Sequence, residues 1–186
     1  MRPGTAIATA SLAALLALAA GPARAADTVF LDELTWTELR DAVKAGTTTV
    51  IVPAGGTEQS GPHLTLGKHN VRVRALAGRV ASELGHALVA PVIAYVPEGN
   101  VSPPTSHMRF PGTISVPAEI FEKTLEYAAR SLRQSGFRDI VLIGDHGGYQ
   151  ASLSAVERRL NREWAGTPVR VHAVLAYYRA QEDAYK

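Results

Sequence analysis

An α/β domain with a mainly parallel sheet is predicted by three observations. Short β-branched apolar runs alternate with longer segments of helical period. The two clearest apolar runs, Thr48–Pro53 and Asp139–Gly144, both open into polar, glycine-containing segments. Glycines stand where the helical patterns stop, at Gly46, Gly85 and Gly136.

Each element follows in turn. Trp36–Ala45 has helical spacing. Thr48–Pro53 is a buried strand. His69–Leu84 predicts a helix with Val73, Leu76, Ala77, Val80 and Leu84 on one apolar face. Ala87–Val96 reads as one or two strands around Pro91. Pro97–Thr113 is a loop with four prolines, and loops of that length are often functional. Pro117–Gln134 is the clearest helix, with Pro117 suited to its first turn. Asp139–Gly144 is a second buried strand, Gly147–Trp164 a helix, Val169–Leu175 a strand and Ala176–Lys186 a helical tail. The chain holds no internal repeat.

The N-terminus has a different character. Met1-Arg2 is basic, Ala8–Ala20 is small and apolar, and Ala23-Arg24-Ala25 has the form of an A-x-A cleavage site. The apolar run is too short to span a bilayer. Residues 1–25 are therefore expected to be a secretory signal peptide. Residues 26–186 would form one exported domain, periplasmic or secreted, without a membrane anchor. Of the 19 basic and 17 acidic residues, Arg2 and Arg24 fall in the leader, so the remainder is formally neutral. That balance, with scattered arginines, argues against a nucleic-acid partner. The chain has no cysteine, which excludes disulfides and thiolate chemistry.

Chemistry concentrates after the two buried strands. Thr57–Asn70, TEQSGPHLTLGKHN, carries Glu58, His63 and His69; Gly144-Asp145-His146-Gly147-Gly148 follows the other strand. In open α/β sheets ligands bind beyond the carboxyl ends of strands. If the two strands are neighbours, Glu58, His69 and His146 converge, and they offer three ligands to an ion such as zinc with room for water. A substrate pocket or an ordinary polar loop are the alternatives. His146 can instead cap the following helix, and His63 can be a turn residue. His107 lies in the proline-rich loop. Asp145 and Glu98 could orient a ligand histidine. His86 and His172 read as structural. Neither Ser60 nor Ser106 occupies a G-x-S-x-G elbow, and no nucleotide-binding glycine motif is present.

Three segments in order, Gly56-Thr57-Glu58-Gln59-Ser60-Gly61-Pro62-His63-Leu64, His107 with Phe110-Pro111-Gly112-Thr113, and Gly144-Asp145-His146-Gly147-Gly148, resemble the creatininase (creatinine amidohydrolase) family. The resemblance implies a three-layer α/β/α fold, a homo-oligomer, often a hexamer, and metal-dependent hydrolysis of non-peptide C–N bonds, commonly in cyclic amides. In family members with two metals, Glu58 and His146 match ligands. Ser60 stands for a histidine ligand, His69 for a bridging aspartate and Gly148 for a carboxylate. The expectation is a single divalent ion, zinc or else iron(II) or manganese, on Glu58, His69 and His146. His107 or His63 would assist proton transfer, and Ser60, Asp145, Gly147 and Gly148 would surround the pocket. The substrate would be a small-molecule amide. Nothing after Tyr178 matches the family's C-terminal His-Ala-Gly segment, so a divergent, truncated member is expected. A non-catalytic ligand-binding protein and a modified-peptide-trimming enzyme are the other readings.

Overall fold

Four strands pair in parallel in the order β2–β1–β3–β4: β1 is Thr49–Ala54, β2 Ala87–Val89, β3 Asp139–Gly144 and β4 Arg170–Ala173. They are seen in a computed structural model that describes residues 28–184. The expected signal peptide, residues 1–25, lies outside the described residues.

Helices cover both faces of the sheet, giving the expected α/β/α layering. They are α1 (Trp36–Lys44), α2 (Lys68–Leu84), α3 (Ala118–Gln134), α4 (Gln150–Glu163) and α5 (Ala176–Ala184). Successive β1 residues serve opposite faces. Val50 and Val52 pack in one core with Phe121, Leu125, Leu153 and Trp164, while Ile51 packs in the other with Val73, Ala77 and Ala81. Burial on both faces explains the unbroken apolar run, as is usual for parallel strands. α1 begins with a capping box: Glu38 N–H donates to Thr35 Oγ1 (3.3 Å) and Thr35 N–H to the Glu38 carboxylate (2.8 Å). Among the described residues no helix is long and apolar enough to cross a membrane.

Three expectations change. α2 buries His69, Val73, Ala77, Gly78 and Ala81, whereas Leu76, Val80 and Leu84 are at least partly exposed. The seat is close: a Cβ at Gly78 would stand 2.6 Å from Phe30 Cζ. Small residues therefore take the sheet-facing stripe, and the larger ones lie beside it. β2 ends at Val89, but residues 93 and 96 continue as isolated parallel bridges to Ala54 and Ser115. Pro91, which has no N–H, interrupts the ladder between them. The helix expected from Gly147 starts as a 3-10 turn, Gly147–Tyr149, before α4.

Candidate metal centre

β1 and β3 are neighbours, and their register pairs Ala54 with Gly144. Both chemical loops therefore leave the sheet at the same level. Two more segments are drawn in by single bridges. Thr57 with Ile114 anchors the end of the proline-rich loop, and Val96 with Ser115 anchors the approach to Glu98. Ser115 Oγ then accepts from Glu98 N–H (3.0 Å) and donates to the Gly99 carbonyl (2.7 Å). Gly56, at φ 153°, permits this convergence, since a Cβ there would sit 2.7 Å from Glu98 Oε1.

The result is a compact group of Glu58, Glu98, His107 and His146, whose donor atoms all lie within 4.8 Å of one another. His107 Nδ1 is 3.0 Å from Glu58 Oε2. His146 Nε2 is 3.5 Å from the same oxygen and 3.8 Å from Glu98 Oε2. Both carboxylates are buried, at 2% and 3% exposure. Glu58 Oε2 and both Glu98 oxygens have no hydrogen-bond partner, and neither has the buried Ser60 Oγ. Buried polar groups are ordinarily satisfied, so these oxygens point to a cation.

His69 is placed differently from expectation. It sits at the start of α2, buried, with Nε2 2.8 Å from Glu58 Oε1 and Nδ1 2.8 Å from Asp145 Oδ2. Both ring nitrogens are committed to carboxylates, so the expected trio of Glu58, His69 and His146 is split: Glu58 and His146 share the cluster, and His69 stands behind Glu58. Asp145 is in turn gripped by Arg72, whose Nε and Nη2 reach Oδ2 at 2.9 and 2.8 Å, and by the Tyr177 hydroxyl, which donates to Oδ1 (2.9 Å).

The charge states follow from these contacts. Burial pushes Glu58 up, but His69's hydrogen bond, Glu98 and the charges of His146 and His107 outweigh it and hold the carboxyl at about 2. Burial, reinforced by the neighbouring Glu58, pushes Glu98 up to about 9. Burial disfavours the charged His69 ring, yet its bonds to Asp145 and Glu58 win and raise its pKa. Burial lowers His146, more than the Glu58 charge restores.

Other expected residues fall as follows. His63 is exposed on the Gly61–Leu66 turn rather than lining the cluster. Gly147 and Gly148 are exposed, and Gly148 N–H donates to His146 Nδ1 (3.1 Å), so His146 also caps the 3-10 turn. His86 and His172 bond the Leu84 carbonyl and Asp139. Glu98 is the principal donor that sequence spacing undervalued. Its signal was slight: one acidic residue between Pro97 and Gly99 at the head of the long loop.

Two buried carboxylates and two imidazoles at the carboxyl ends of parallel strands define an α/β protein with donors suited to a divalent cation. Residues 32–185 match the creatininase model, described as creatinine amidohydrolase, and the chain belongs to the creatininase family. It is 33% identical over 129 residues to the creatinine amidohydrolase of Pseudomonas putida, covering 69% of this chain and 48% of that protein. It is 37% identical over 119 residues to the mycofactocin precursor peptide peptidase of Mycolicibacterium smegmatis, covering 61% and 45%. A crystal structure of creatininase superposes with a TM-score of 0.63 at 30% identity, over 78% of this chain and 57% of the other. Another, named Creatininase Mn, gives 0.62 at 30% identity over the same shares. The chain thus spans about half the length of the curated relatives it matches.

Proposed function

We propose that this protein is a metal-dependent amidohydrolase that cleaves a C–N bond of a small, non-peptide, cyclic amide with water. The observation that carries the reading is the set of partnerless buried oxygens on Glu58 and Glu98 facing His107 and His146. The donor types fit zinc or manganese, and relatives are named for both: Creatininase Mn and a mutant creatininase of Zn-Zn type. His146 would have to move its proton, because Gly148 N–H on Nδ1 leaves Nε2 as the protonated nitrogen of the neutral ring. A divalent ion, when bound, supplies Lewis acidity and water of lowered pKa.

The chain's own residues supply the rest. Glu58 and His146 would hold such an ion from the two strand ends. His107, whose side chain is partly exposed, lies 3.0 Å from the buried Glu58 Oε2. Lys68 Nζ, 3.9 Å from Glu58 Oε1, adds positive charge at the rim.

The similarity to the mycofactocin precursor peptide peptidase favours a second reading, in which the amide belongs to a modified peptide. Export through residues 1–25 and assembly into a homo-oligomer complete the proposal. They are supported by the leader-like composition and by the family resemblance. The test is incubation of the full chain, loaded with Zn²⁺ or Mn²⁺, with creatinine, other cyclic amides and amidated peptides, with products weighed by mass spectrometry. Addition of water to a cyclic amide supports the first reading, and a shortened peptide the second. Stoichiometric binding without turnover would leave only a ligand-binding protein.

A further inference from the structure

We propose that the ion is held by Glu58, Glu98, His107 and His146, and that His69 lies outside the donor set as a positioning residue for Glu58. This rests on the metal-dependent reading above and goes beyond it in naming the donors.

Geometry separates the two oxygens of Glu58. Oε1 is taken by His69 Nε2 at 2.8 Å, and Oε2 is the atom that faces His107 and His146 at 3.0 and 3.5 Å. The four donor atoms all lie within 4.8 Å of one another, three of their contacts at 3.0, 3.5 and 3.8 Å, close enough for one cation to be shared among them. Glu98 is 3% exposed, and its carboxylate meets other members of the cluster, Glu58 and, at 3.8 Å, His146, with no hydrogen-bond partner beyond them.

His69 has the opposite circumstances. It is fixed between Glu58 and Asp145, and Asp145 is anchored by Arg72 and Tyr177 from two different helices. The chain Asp145–His69–Glu58 therefore holds one carboxylate oxygen still while the other is offered to the ion. Outer partners of this kind orient donors without touching the metal. Glu98 and His107 thus restore a four-donor site although Ser60 and Gly148 carry no donor of the expected kind.

Cobalt(II) is the probe, because its visible absorption reports the donors directly. The full-length chain and its Glu98→Gln, His107→Gln and His69→Gln variants would be titrated with Co²⁺. Affinity is read by chelator competition and folding by circular dichroism. The expected result is one Co²⁺ per wild-type chain. Glu98→Gln and His107→Gln should each weaken binding at least tenfold and shift the visible bands. His69→Gln should keep one ion with unshifted bands, at an affinity lowered by about 10–100-fold. Wild-type affinity and bands in Glu98→Gln would overturn the proposal, as would a shifted spectrum or lost ion in folded His69→Gln. If the folded wild type takes up no Co²⁺ at all, the metal-dependent reading itself falls. Glu98→Gln keeps the size and shape of the side chain, so a folded variant is available to decide the question even if His69→Gln does not fold.

Discussion

The Tyr149 hydroxyl stands 2.8 Å from the Ala54 carbonyl and 2.6 Å from that of Gly55, sharing its proton between them. The same oxygen accepts from the N–H groups of Asp145 (3.1 Å) and His146 (3.2 Å). One buried side chain, 1% exposed, thereby ties the end of β1 to the end of β3 at the level where the site begins. Tyr149→Phe leaves the Gly55 carbonyl and His146 N–H without this partner, while Asp145 N–H and the Ala54 carbonyl still pair with each other at 3.0 Å. It should cost about 1–3 kcal/mol, the usual penalty for buried groups left unsatisfied, measured by urea denaturation. A loss near zero would mean that water replaces the hydroxyl and that the clamp is not structural.

Asp145 presents a different kind of dependence. It is fully buried and its carboxylate meets His69, Arg72 and Tyr177. Removing one partner of a buried ion pair leaves the others uncompensated and costs about 3–5 kcal/mol. Asp145→Ala should lose stability on that scale, and more than Tyr149→Phe. Equal stability to wild type would show that Arg72 and His69 find solvent readily.

The paired glutamates give opposite pH signatures. Glu58 is held at about 2 against an ordinary 4.5, so its contribution is fully present above pH 4.5 and is lost as pH falls towards 2. Glu98 is raised from 4.5 to about 9. Above pH 4.5 the unfolded chain sheds this proton while the folded chain keeps it, so stability declines as pH climbs towards 9. In chelator-treated protein, Glu98→Gln should therefore raise the melting temperature little near pH 4.5 and progressively more by pH 8. A gain of constant size across that range would contradict the assignment.

Backbone proximity sets a further test at Gly55. A Cβ there would meet Asn70 at its Cα (2.9 Å) and N (3.0 Å), atoms of the α2 backbone that cannot swing aside. Asn70 also holds the loop by accepting from Gly56 N–H at 2.9 Å. Gly55→Ala should push α2 from β1 and cost ~1–3 kcal/mol, as overpacking does. Gly46→Ala is an instructive comparison: no atom lies near its Cβ, so any cost there comes from its φ of 108° alone.

Much was legible in the sequence because it is written in local terms. The apolar runs of β1 and β3, the helices α1 to α4 and the alternation that makes an α/β sheet all follow from short-range periodicity. Glu58, His146 and His107 stood out because each sits in a distinctive segment next to a strand end or in a long loop, His107 as a candidate for proton transfer and not as a donor. The sequence could not say which oxygen of which carboxylate would face which imidazole. That depended on the β1–β3 register, which sets two loops 90 residues apart at one level, and on single bridges that bring in residues 96–98 and 107–114. His69 shows the difference most plainly. Its place in the same loop segment as Glu58 suggested a ligand, but α2 turns it inward, between Glu58 and Asp145, where both nitrogens are taken. The identity of the donors was thus encoded residue by residue. Their division into those that face the cation site and those that brace them was decided by packing, because only the folded chain determines which polar atoms are left without a partner.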